Sequence, residues 1–147
     1  GEFGCVITAI AAQMSFYLGQ TITPWEFVEM LNKRVGWSNK NRYYWHAPKV
    51  LFSNRIIKAE HYYSEPRWID ANLDGLDQIL ESGRPAAVKV DFDPATRQLD
   101  EHWVNVIGKV DGKYFIHDPY DGTVQIFDAR YGDPLKTIRQ IVAYKKV

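Results

Sequence analysis

Among 147 residues there is a single cysteine, Cys5. No internal disulfide can staple the fold, and one cysteine with four histidines cannot build a Cys-rich zinc site. The chain also lacks an excess of charge of either sign: 18 basic residues balance 18 acidic ones. Phosphate-dominated binding needs a basic face, so no nucleic-acid partner is expected. No apolar run approaches the roughly 20 residues of a membrane helix, so no membrane span is expected. The sequence opens on Gly1-Glu2-Phe3, so no secretory leader is expected either. Repeats, low-complexity stretches and linkers are absent, which predicts one domain over residues 1–147.

What is present is globular. Hydrophobic residues make up 46% and charged residues 24%, enough apolar material to bury a core. From Gly4 to Leu18, the residues Ile7, Ile10, Ala11, Met14 and Leu18 recur at helical spacing, and Gly19 closes the helix. Thr23-Pro24-Trp25-Glu26 reads as a capping box opening a second helix through about Lys33. Gly36 to Tyr44 reads as a loop, His46 to Asn54 as a short helix, and Ile56 to Tyr63 as a strand. Leu73 to Leu80 has helical spacing, closed by Gly83.

After Pro85 the pattern changes. Ala86 to Phe92 predicts a strand and Asp93 to Asp100 a loop. His102–Val110 and Lys113–His117 are strands joined by the tight-turn pair Asp111-Gly112, with Val110 facing Lys113. Asp121-Gly122 turns the chain into Thr123–Phe127, and a last strand covers Ile138–Tyr144. Helices first and an antiparallel meander afterwards is an α+β order.

Cys5 stands at the mouth of the first helix, where unpaired amides and the helix dipole favour a thiolate. Such a nucleophile needs a base, and the base needs an orienting group. His102 opens one strand of the hairpin and Asp118 follows the other, so the pairing brings them near each other. The three residues together predict a Cys/His/Asp triad.

At these positions the sequence resembles a known group. Gly4-Cys5-Val6-Ile7-Thr8-Ala9-Ile10-Ala11 looks like the nucleophile helix of cysteine peptidase family 39, which includes the double-glycine leader peptidases of bacteriocin exporters and many freestanding family 39-like domains. The likeness continues at Gly19, Ile22-Thr23-Pro24, Gly83-Arg84-Pro85-Ala86-Ala87-Val88, His102-Trp103-Val104-Asn105-Val106-Ile107-Gly108 and Tyr114-Phe115-Ile116-His117-Asp118-Pro119. It implies a papain-like fold with N-terminal helices packed on a C-terminal antiparallel sheet. It also implies Cys5 as nucleophile, His102 as general base and Asp118 as the group orienting His102. One feature departs from the pattern: the family's oxyanion-stabilising glutamine precedes its cysteine, and here only Gly1 to Gly4 do. Gln13 and Gln20 follow the cysteine and cannot substitute.

The resemblance implies a cysteine peptidase or amidase, without cofactor or metal, that cuts a peptide or a peptidoglycan stem. It implies a freestanding bacterial or phage protein, secreted or facing the cell wall. Two alternatives compete. A transglutaminase-like acyl transferase shares a His-Trp-Val strand and a following Asp-Pro, but keeps its cysteine far closer to the histidine than the 97 residues found here. A non-catalytic peptide-binding module would keep the fold without turnover. CHAP-type and NlpC-type amidases lack matching contexts around the cysteine. His117 adjoins Asp118 on a strand and should face the other way. His46 and His61, among Tyr43, Tyr44, Trp45, Tyr62 and Tyr63, predict aromatic packing, and a metal site from His102, His117 and carboxylates is disfavoured. Trp37, Tyr43, Tyr44 and Trp45 could line a peptide cleft or edge the core.

Overall fold

The structure is a computed structural model that describes residues 2–34, 45–65, 69–91, 101–118 and 122–147. The predicted loops Gly36–Tyr44 and Asp93–Asp100 lie outside these residues, as do Trp37, Tyr43 and Tyr44.

The first helix, α1 (Glu2–Leu18), buries the predicted stripe of Ile7, Ile10, Ala11 and Met14. Gly19 stops it with φ at 67°, a left-handed conformation that a side chain would strain, while its amide donates to Ser15 O. Helix α2 (Pro24–Arg34) starts as its capping box dictates. The Glu26 amide donates to Thr23 Oγ1 at 3.1 Å, and the Thr23 amide donates back to Glu26 Oε2 at 3.4 Å. The short helix α3 (Ala47–Leu51) and strand β1 (Ile56–Tyr63) follow, then α4 (Leu73–Glu81), capped by Asn72 Oδ1 accepting from the Gly75 amide.

Strands β2 (Ala86–Asp91), β3 (Glu101–Val110), β4 (Lys113–His117) and β5 (Val124–Ile126) form the expected meander. The last strand, β6 (Gln140–Lys146), does not extend it at the free edge. It inserts between β1 and β2, giving a six-stranded antiparallel sheet in the order β1-β6-β2-β3-β4-β5. The α+β class is as predicted, but one strand of the sheet comes from the helical half of the chain. Between β5 and β6 lie two helices that the sequence reading missed, α5 (Phe127–Tyr131) and α6 (Pro134–Thr137). At five and four residues they are too short to show an apolar period. Phe127, expected to end a strand, begins α5.

Side chains alternate along each strand, so the sheet has two buried faces. Ala87, Trp103, Val142 and Tyr144 pack against Ile10, Met14, Phe27 and Leu31 from α1 and α2. Val88, Val90, Val104 and Ile141 pack against Leu76 and Ile79 of α4 and Phe127 and Tyr131 of α5. Fully burying one such aliphatic side chain contributes about 1.5–3 kcal/mol.

The β3–β4 hairpin keeps the expected register at Val110↔Lys113, Lys109↔Tyr114 and Gly108↔Phe115. A bulge at Ile107 then slips it by one, so Val106 faces Ile116 and Asn105 faces His117.

Candidate active site

Cys5 lies in the first turn of α1. The helix begins at Glu2, two residues earlier than expected, and Cys5 is half-buried. Its Sγ lies 3.0 Å from His102 Nδ1. His102 is the second residue of β3, and its Nε2–H donates to Asp118 Oδ1 at 2.8 Å. Asp118 directly follows β4. The structure therefore brings all three sequence-predicted residues into one hydrogen-bonded line.

The main chain explains why they meet. α1 runs along β3: Asn105 Nδ2 donates to Ala9 O at 2.9 Å, and Gln13 Nε2 donates to Asn105 Oδ1 at 3.1 Å. Those bonds fix the helix on the strand, so that Cys5 at the helix start falls beside His102 at the strand start. Gln13, eight residues along α1, is about 12 Å of helix rise from Cys5 and committed to Asn105, while Gln20 is exposed beyond the helix end. Neither stands at the cysteine, as expected.

Asp118 is held as firmly as the histidine. Its amide donates to Thr123 O, and its carbonyl accepts from the Gly122 amide at 2.8 Å. His102 and Asp118 are each only 2% exposed. The second carboxylate oxygen, Oδ2, accepts a hydrogen bond from the Tyr131 hydroxyl, a contact the sequence reading did not anticipate. Tyr131 ends α5, and no periodic signal marks a five-residue helix as part of a site.

These contacts set the charge state of the imidazole. Burial pushes the His102 pKa down. The hydrogen bonds to Asp118 and Cys5, and the negative charges of both, outweigh burial and hold it at about 9. At neutral pH the favoured state of His102 is therefore the imidazolium, set between the Asp118 carboxyl group and the Cys5 sulfur. That arrangement can deliver a sulfur nucleophile and a proton donor to the same carbonyl group.

The remaining candidates lie apart from this line. His117 pairs with Asn105 and lines a cavity of about 260 Å³ with Gln13, Phe16, Arg84 and Ile107, while Asp118 is buried beside His102 and Tyr131. His61 stacks on Tyr63 with ring centroids 4.2 Å apart, and its Nε2 is 2.8 Å from Gln140 Oε1. Trp45 meets Trp103 at 5.0 Å and packs on the α1 core, so it edges that core. His46 occupies the cap position before α3. Among the described residues, no helix is long and apolar enough to cross a membrane.

This α+β fold, with N-terminal helices laid on an antiparallel sheet, is shared with a solved protein. The chain is similar to the crystal structure of a candidate C39-like peptidase from Bacillus anthracis, with a TM-score of 0.54 over 97% of this chain and 89% of that one. Sequence identity is 16%, so the likeness is one of fold. No family profile matches the chain, and no curated protein matches it.

Proposed function

We propose that the protein is a cysteine peptidase or amidase that hydrolyses an amide bond in a peptide or a peptidoglycan stem through Cys5, His102 and Asp118. The observation that carries this reading is the line of contacts from Cys5 Sγ through the His102 ring to Asp118, at 3.0 and 2.8 Å. The fold similarity to a candidate C39-like peptidase supports it.

In the first half-reaction the Cys5 thiolate attacks the carbonyl carbon, forming a carbon–sulfur bond and an oxyanion. The His102 Nδ1 proton passes to the departing nitrogen, the carbon–nitrogen bond breaks and the amine leaves. An acyl-thioester and a neutral imidazole remain. Water then attacks the thioester, Nδ1 takes one of its protons, and the carbon–sulfur bond breaks. The products are a carboxylic acid, which releases its remaining proton to solvent as it ionises, and the restored thiolate–imidazolium pair. Asp118 keeps Nε2 protonated, so that Nδ1 is the nitrogen facing sulfur.

The test is hydrolysis of a mixed peptide library and of purified peptidoglycan by the parent protein and by Cys5→Ser. The reading expects turnover in the parent and a loss of at least about 1000-fold in the variant, with an unchanged melting temperature. A folded parent that binds peptide without cutting it would identify the non-catalytic binding module instead. Transfer of the acyl group to an added amine in preference to water would identify the acyl transferase.

A further inference from the structure

We propose that Tyr131 is a positioning residue for this site: its hydroxyl fixes the Asp118 carboxylate in the one orientation that aligns the His102 ring with Cys5. The kinetic part of this proposal rests on the hydrolytic reading above; the part concerning His102 does not.

A carboxylate held by a single hydrogen bond can swing about its two side-chain torsions and still keep that bond. Two donors on different oxygens remove this freedom, because the plane of the carboxylate is then defined. Asp118 Oδ1 accepts from His102 Nε2, and Oδ2 accepts from Tyr131. The main chain of Asp118 is pinned to Thr123 and Gly122, so the carboxylate is left no backbone slack.

Tyr131 is itself immobilised. Its ring is 1% exposed and lies 5.5 Å from the Phe127 ring and 6.3 Å from the His102 ring, centroid to centroid. The Arg130 guanidinium covers the ring at 4.7 Å from its centroid. A cation over the π face draws electron density from the ring and makes the hydroxyl a stronger donor. Immediately after Tyr131, Gly132 ends α5 with φ at 80°, so the residue sits at a fixed helix terminus.

The choice of a phenol has a chemical consequence. A lysine or arginine at this place would also hold the carboxylate, but its positive charge would cancel the field that Asp118 exerts on His102. A neutral O–H donor orients Asp118 and leaves its charge in place. Cys5 from α1 and Asp118 after β4 bear on the imidazole directly, and Tyr131 from α5 bears on it through Asp118.

The test is Tyr131→Phe, which keeps the ring and removes the hydroxyl. Three quantities are read on the full chain: the His102 ring titration by NMR, kcat and KM separately, and the melting temperature. The proposal expects a folded protein whose His102 titration midpoint falls from about 9 toward the ordinary value of 6.5. It also expects kcat to drop by about 10- to 100-fold with KM nearly unchanged, the range for losing a hydrogen bond to a charged group. A midpoint unchanged or raised in Tyr131→Phe, alongside a lowered one in Asp118→Asn, overturns the proposal. If the parent shows no turnover, the hydrolytic reading fails while the titration still decides the role of Tyr131. If Tyr131→Phe does not fold, the parent decides. An exchange-protected, downfield hydroxyl proton correlated with the Tyr131 ring is expected, and its absence overturns the proposal.

Discussion

The two sides of the candidate site are built in different ways. Cys5 stands on a 17-residue helix whose apolar stripe fixes its rotation and whose bonds to Asn105 fix its height on the sheet. Asp118 directly follows a five-residue strand and Tyr131 ends a five-residue helix, where no long element supplies rigidity. There the geometry comes from paired polar contacts: a carboxylate with a donor on each oxygen and a main chain bonded to Thr123 and Gly122. The nucleophile is placed by a packed helix face together with two buried bonds to Asn105, and its support chiefly by hydrogen bonds to the carboxylate. Packing is spread over many contacts and tolerates single changes, whereas a hydrogen-bonded chain in a buried setting depends on each link.

The sharpest way to break the comparison is on the hydrogen-bonded side. Asp118→Ala leaves the His102 imidazole and the Tyr131 hydroxyl buried without their shared acceptor. We expect a stability loss of about 1–3 kcal/mol and a fall in kcat of about 1000- to 10,000-fold, measured by thermal melts and steady-state hydrolysis. Asp118→Asn should be milder, because an amide oxygen can still accept from Nε2, with Tyr131 turning to accept from the amide nitrogen. The sign with pH is fixed as well. A histidine whose pKa is raised on folding stabilises the fold fully below about 6.5, and that stabilisation is lost as pH rises through about 9. The high-pH decline of kcat/KM should therefore fall near 9 in the parent and move lower in Asp118→Asn.

On the packed side, a single change should matter far less. Thr23→Ala removes the hydroxyl that accepts from the Glu26 amide and caps α2, while the residue 23 amide can still donate to Glu26. A loss of about 1 kcal/mol in stability is expected, with hydrolysis unchanged at temperatures well below the melt. A large kinetic effect from Thr23→Ala would mean that the helical side is not the robust half.

The same contrast governs what could be read from sequence. Helix α1, the capping box and the Asp111-Gly112 hairpin each announce themselves within a few residues, because their signals are local periodicities and turn chemistry. Cys5, His102 and Asp118 were legible because each sits at an end of such an element. The bulge at Ile107 was not, since the slip from Gly108↔Phe115 to Val106↔Ile116 leaves no mark in residue pattern. The insertion of β6 between β1 and β2 is a choice among sheet edges that strand periodicity does not encode. Tyr131 was illegible for a third reason. Its hydroxyl meets the second oxygen of Asp118, which in turn touches His102, so it stands three contacts from the nucleophile.

The central claim is that Cys5 and His102 act as one thiolate–imidazolium unit, and it can be tested without knowing the substrate. The measurement is the rate of Cys5 alkylation by iodoacetamide from about pH 5 to pH 10 in the parent and in His102→Ala. As Cys5 is the chain's one cysteine, the signal is unambiguous. The account predicts that near pH 6 the parent reacts at least about tenfold faster than His102→Ala, because the imidazolium holds the sulfur as a thiolate. Superimposable pH profiles for the two proteins would contradict it.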